Sequence, residues 1–126
     1  MTSGAKSGAF DRVRINCDMG ESFGIYRFGQ DEAVAPHIGL ANVACGFHAG
    51  DPDTIDRTIS LAKARDLAVG AHPSLPDREG FGRRALHLSP TELRSAFVYQ
   101  IGALTGFLRR HDLPLSYIKP HGVIYR

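Results

Sequence analysis

The sequence predicts an α/β protein, about four parallel strands with intervening helices, of the kind that lines part of a β/α barrel. Three observations carry this. Short apolar runs alternate with longer segments whose apolar residues recur at helical spacing. The ends of those runs meet polar residues of catalytic type, as at Asp18, His48, His72 and His121. Helix-start signals stand between the runs, at Asp51-Pro52 and Ser89-Pro90.

The elements follow in order. Met1 to Phe10 is small and polar, with no apolar stretch, and reads as a disordered leader rather than a signal peptide. Residues 11–126 then form one domain. Val13 to Cys17 alternates apolar and polar side chains, which predicts a first strand running into a glycine-containing loop. Gln30 to Ile38 predicts a short helix, with Asp31 and Glu32 placed to favour its N-terminus. Leu40 to Cys45 is too apolar to leave a wet face and predicts a second strand.

Asp51 then offers an N-cap and Pro52 the first helical position. The helix they open runs to about Arg65 and aligns Ile55, Ile59 and Ala62. Leu67 to Ala71 predicts a third strand, and Pro73 to Leu88 a long loop. Ser89-Pro90-Thr91-Glu92 spells a capping box. The longest helix follows, to about His111, with Leu93, Phe97, Ile101, Leu104 and Leu108 as its buried stripe. Leu115 to Ile118 predicts the fourth strand.

Composition excludes several classes of function. A chain of 126 residues has room for one modest core. Its net charge of +2, with scattered basic residues, argues against nucleic acid or an anionic membrane as partner. No apolar run approaches the roughly 20 residues that span a bilayer. Cys17 and Cys45 do not make a disulfide framework, and they read as small buried hydrophobes in a reduced, cytoplasmic protein.

In parallel β/α architectures the C-terminal ends of the strands form one rim, where catalytic groups collect. Asp18 and Glu21 follow the first strand, His48 and Asp51 the second, His72 the third, and Lys119 with His121 the fourth. Each also has a plainer reading. Asp18 suits a turn, Glu21 a solvated loop, and Asp51 an N-cap, which is the reading preferred for it. Pro73 and the Lys119-Pro120 pair hold His72 and His121 in extended settings, whereas His37, His87 and His111 read as surface residues. Three histidines and an aspartate suit a divalent metal, but no H-x-x-x-H spacing supports one, and a metal-free acid/base cluster fits equally. Arg83 and Arg84 beside Gly80 and Gly82 are candidates to grip a carboxylate or phosphate.

Five segments carry a likeness: Asn16 to Glu21, Asn42 to Pro52, Gly70 to Ser74, Gly80 to Arg84 and Lys119 to Gly122. In order and spacing they resemble the LamB/YcsF family, over nearly everything from Val13 to Tyr125. The resemblance implies a fold related to the glycoside hydrolase/deacetylase barrels. It implies the activity of a bacterial 5-oxoprolinase, which opens 5-oxo-L-proline to L-glutamate with ATP as co-substrate and with partner subunits B and C. By the same resemblance Asp18, His48, His72 and His121 are candidates for the acid and base. Glu21, Asn42, Gly46, Arg83 and Lys119 are candidates for substrate contact, with Lys119 and the amides near Gly46 facing developing negative charge.

One departure is Arg126, where the family usually has Asn. Length is the other, since a closed barrel takes about 250 residues. The chain therefore reads as the N-terminal half of a barrel, expected to self-associate or to pair with a complementing C-terminal half. Two other readings stand beside this one: a metal-dependent hydrolase or deacetylase, and an inactive half-barrel that only binds a partner.

Overall fold

The computed structural model describes residues 14–125, so the expected leader at 1–10 lies outside the described residues. Four strands, β1 (Asn16–Met19), β2 (Leu40–Ala44), β3 (Ala68–His72) and β4 (Tyr117–Ile118), form one sheet in the order β1-β2-β3-β4. Every neighbouring pair is parallel. The helices α1 (Asp31–Val34), α2 (Pro52–Ala64) and α3 (Pro90–Arg110) lie between the strands in sequence. This is the open, parallel arrangement the alternation predicts.

The register gives the two faces of the sheet different chemistry. Asp18, Asn42, Gly70 and Tyr117 stand in one row across the four strands, and Met19, Val43, Ala71 and Ile118 in the next. Side chains alternate faces along a strand, so the first row shares a polar face with Asn16 and His72. The other face carries Met19, Ala41, Val43, Val69 and Ala71, which pack with Ile55, Ile59, Ala62, Leu104 and Leu108 from α2 and α3. As the sequence reading expects, β2 has no wet face, although one of its sides carries the polar Asn42. That residue is fully buried, because its amide is hydrogen-bonded on both sides.

Caps fix both long helices where the sequence placed them. The Asp51 carboxylate accepts from the Thr54 amide at 2.8 Å, with Pro52 in the first turn. Ser89 and Glu92 exchange both bonds of the capping box.

The strands depart from expectation at their ends. β1 starts at Asn16, where pairing with Leu40 begins, so Asp18 lies within the strand. β3 likewise runs on to His72, paired with Ala44, and β4 shrinks to two residues. The helix expected at 30–38 is one α-turn followed by a 3-10 segment, Ala35–His37, with Pro36 at the change.

The α3 stripe divides. Leu104 and Leu108 are buried, whereas Leu93, Phe97 and Ile101 are only half-buried. They line an open apolar groove of about 700 Å³, together with Pro90, Val98 and Ile124. Among the described residues no helix is long and apolar enough to cross a membrane.

Candidate active site

The polar face of the sheet carries a connected network. Asp18 Oδ1 accepts from the Asn42 side-chain amide at 3.0 Å and from Lys119 Nζ at 3.2 Å. Asn42 also donates to Asn16 Oδ1 at 2.8 Å, and its own oxygen accepts from the Tyr117 hydroxyl. Gly70 makes this possible, because a Cβ there would meet the Tyr117 ring. Burial pushes the Tyr117 hydroxyl up to about 12, which keeps it a donor. Contact with His72 is the main force holding the Asp18 carboxyl well below its usual range, with Asn42 adding to it against burial.

Beyond this row, at the strand ends, lies a denser cluster. Glu21, His48, His72 and His121 come from four different strand ends and are all buried. His48 Nε2 is 2.7 Å from Glu21 Oε2. His72 Nδ1 is 2.6 Å from the carbonyl of Lys119, and His121 Nε2 is 2.7 Å from that of Phe81. A carbonyl only accepts, so both ring nitrogens carry hydrogen and donate. The opposite nitrogens, His72 Nε2 and His121 Nδ1, then face one another at 3.0 Å. Asp18 Oδ1 is 3.4 Å from the same His72 Nε2.

The rings are tightly packed. His48 and His121 stack, with centroids 3.7 Å apart and planes 8° from parallel. Phe81 meets both edge-on, at 5.0 Å. Burial moves His121 down to about 4 and His48 downward as well, so both rings are neutral near pH 7. His48 Nδ1 is buried and has no hydrogen-bond partner among the described residues.

The long loop between β3 and α3 closes over one side. Asp77, fully buried at its carboxylate, accepts from the Gly80 amide at 2.9 Å and from Arg84. Arg84 is what holds the Asp77 carboxyl down at about 2. At Gly82 the φ is +67°, and a Cβ would meet Ser74 Oγ and His121. Only glycine lets the loop come this close.

The sequence-derived candidates sort accordingly. Asp18, Glu21, Asn42, His48, His72, Lys119 and His121 are brought together. Gly46 is nearby, but its amide donates to Ala49 at 2.9 Å and its carbonyl accepts from Arg78, so it is no free oxyanion donor. Arg83 is exposed, with its guanidinium 5.8 Å from the centre of the Phe81 ring, and borders the cluster only through that ring. Arg84 is consumed by Asp77 rather than offered to a ligand.

His111 is not the free surface residue expected, since it is 2.7 Å from Asp56 and ties α3 to α2. Asp51 is an N-cap that also accepts from the Gly24 amide at 2.7 Å. Tyr117, Phe81, Asp77 and Asn16 escaped the sequence reading. Tyr117, Phe81 and Asn16 act through partners on other strands or turns, which no spacing announces, whereas Asp77 acts within its own loop on Gly80 and Arg84.

Chemically, the arrangement supplies a carboxylate-set histidine (Glu21–His48), a carboxylate–ammonium pair (Asp18–Lys119) and a facing pair of imidazoles. Glu21, His48, His72 and His121 also offer ligand atoms within 4.8 Å of one another, close enough for a divalent ion by distance. The stack limits this, since two nearly parallel rings 3.7 Å apart cannot both aim an in-plane lone pair at one point.

A parallel sheet with titratable side chains gathered at consecutive strand ends defines part of a β/α barrel. More narrowly, the chain belongs to the LamB/YcsF family, whose profile matches residues 13–126. It is 54% identical over 115 residues to the A subunit of 5-oxoprolinase from Staphylococcus aureus strain JH9, and 53% identical to that from strain Newman. The match takes in 91% of this chain and 46% of those relatives. The crystal structure of a lactam utilization protein from Thermus thermophilus superposes with a TM-score of 0.88 at 50% identity. That likeness covers 90% of this chain and 46% of the other. The chain thus spans about half the length of the relatives it matches.

Proposed function

We propose that residues 11–126 form the N-terminal half of a barrel that acts as the A subunit of a 5-oxoprolinase, opening 5-oxo-L-proline to L-glutamate at the expense of ATP. The observation that carries this reading is the constellation of Asp18, Glu21, His48, His72, Lys119 and His121. It occurs in a chain about half of whose residues match proteins named as the A subunit of 5-oxoprolinase. ATP, partner subunits B and C, the complementing C-terminal half and a cytoplasmic setting are all parts of the proposal. Two free thiols, both held up by burial, agree with a reducing compartment.

The chemistry explains why such residues are needed. A five-membered lactam is resonance-stabilised and resists water. Transfer of the γ-phosphoryl group of ATP to the lactam oxygen makes the ring carbon a better electrophile. Water adds to that carbon, and the C–N bond breaks as nitrogen takes a proton. A second water then hydrolyses the acyl phosphate to glutamate and phosphate. In this scheme His48, set by Glu21, removes the proton of the attacking water. Lys119, held by Asp18, faces the developing negative charge, and Asn42 and Tyr117 fix the Asp18 carboxylate.

Glutamate release from 5-oxo-L-proline tests this, with ATP, subunits B and C, and a C-terminal half supplied in turn. The complete set should release glutamate, and His48→Asn or Asp18→Asn should slow it by about 100-fold or more. Release that is absent from every combination, while the chain still binds a partner, would instead identify a half-barrel with a binding role only.

A further inference from the structure

The geometry points to a binding site for one divalent transition-metal ion between His72 Nε2 and His121 Nδ1, with the Glu21 carboxylate as third ligand. The inference rests on the cluster itself and not on the lactam reading. Its first support is the hydrogen-bond bookkeeping of the two rings. His72 spends its Nδ1 hydrogen on the Lys119 carbonyl and His121 its Nε2 hydrogen on the Phe81 carbonyl. Metal-binding histidines are oriented in this way, with the far nitrogen donating to a backbone oxygen and the near lone pair free.

The two near nitrogens face each other at 3.0 Å. The half-buried Asp18 oxygen, already held by Lys119 and Asn42, is 3.4 Å from His72 Nε2, whereas the two facing ring nitrogens are buried. Such a contact is repulsive unless something positive lies between. The candidates are a proton on His72 or a cation.

Ring geometry separates the two. A straight N–H···N bond along both ring axes at this N···N distance would place the ring centres about 5.3 Å apart. They are 4.8 Å apart, with planes 83° from each other. The rings are therefore bent off the line joining the nitrogens. Two imidazole nitrogens about 2.0–2.1 Å from one ion, with ligands near right angles, lie about 3 Å apart. Perpendicular rings can both contain such an ion in plane.

Glu21 completes the set. Its ligand oxygen is within 4.8 Å of both His72 and His121. It is braced by His48, which the ring stack keeps out of the coordination shell. Two nitrogens and one carboxylate favour zinc, cobalt, iron or manganese over calcium or magnesium. Asp18 is the next oxygen outward.

The test is equilibrium dialysis of the full chain against Zn(II) or Co(II), with metal content, Co(II) visible absorption and thermal stability as readouts. One ion per folded chain is expected, removed by chelator and raising the melting temperature. His72→Asn and His121→Asn should each weaken binding by more than about 100-fold. The control His37→Asn/His87→Asn, on surface residues, should bind like the parent. X-ray absorption of the unmutated zinc-loaded chain needs no variant to fold, and should show two imidazoles with oxygen ligands and no sulfur. Substoichiometric metal on a chain that circular dichroism shows to be folded would overturn the site and leave the pair to a shared proton. Binding that survives both histidine variants, or that shows sulfur ligation, would also overturn it. Neither result touches the glutamate assay.

Discussion

Gly70 shows how one residue without a side chain can set a polar network. It stands between Asn42 and Tyr117 in the register, and the Tyr117 ring lies where a Cβ would project. From there the hydroxyl reaches Asn42, which in turn holds Asp18. Gly70→Ala should therefore displace the ring and cost about 1–3 kcal/mol, the usual range for overpacking a filled site. Tyr117→Val in the same chain should recover stability without restoring the bond to Asn42. Chemical unfolding of the two variants checks this; an unchanged midpoint for Gly70→Ala would show that the ring moves freely. Little of this was legible in the sequence. Asp18 and the histidines stood out because strand ends are where such residues gather, but Glu21 and His48 are 27 residues apart. Asn42 and Tyr117 are 75 apart, and only the register joins them.

At the scale of elements, the sequence was most informative where structure is decided locally. The Ser89–Glu92 box and the Asp51–Pro52 start were readable because every partner lies within three residues. Strand limits were not, since a strand begins where its neighbour begins; hence β1 opens at Asn16 opposite Leu40. The α3 stripe was misread for a related reason. Periodicity reports which face is apolar, and only the neighbouring chain decides whether it is covered. The two caps provide a measurable contrast. Asp51 serves the Thr54 amide at the start of α2 and also the Gly24 amide in the loop after β1, whereas Ser89 serves α3 alone. Ser89→Ala should cost about 1 kcal/mol in thermal or denaturant unfolding. Asp51→Ala should cost more, because it also releases the loop that carries Glu21. Equal losses would mean that the Gly24 bond contributes nothing.

The whole molecule presents two surfaces that a complete barrel would cover. On α3 the groove lined by Leu93, Phe97, Ile101 and Ile124 is open, and Val98 beside it is 66% exposed. At the sheet's end, among the described residues, β4 pairs on one side only, with β3, and Ile118 is 49% exposed. An apolar groove next to an unpaired parallel strand is a template for association. The matched relatives are about twice as long, and on the proposed reading a complementing C-terminal half would cover both surfaces. Sedimentation of the purified chain should therefore depend on concentration, with species larger than the monomer at micromolar levels. Val98→Glu, which sets a charge in the groove and leaves the histidine cluster untouched, should shift the chain toward monomer. A separately made C-terminal half should compete in the same way, forming a one-to-one complex and raising the melting temperature. A monomer that stays monodisperse at all concentrations and melts cooperatively would show that β4 and the groove are stable in water, and that the chain is a self-sufficient domain.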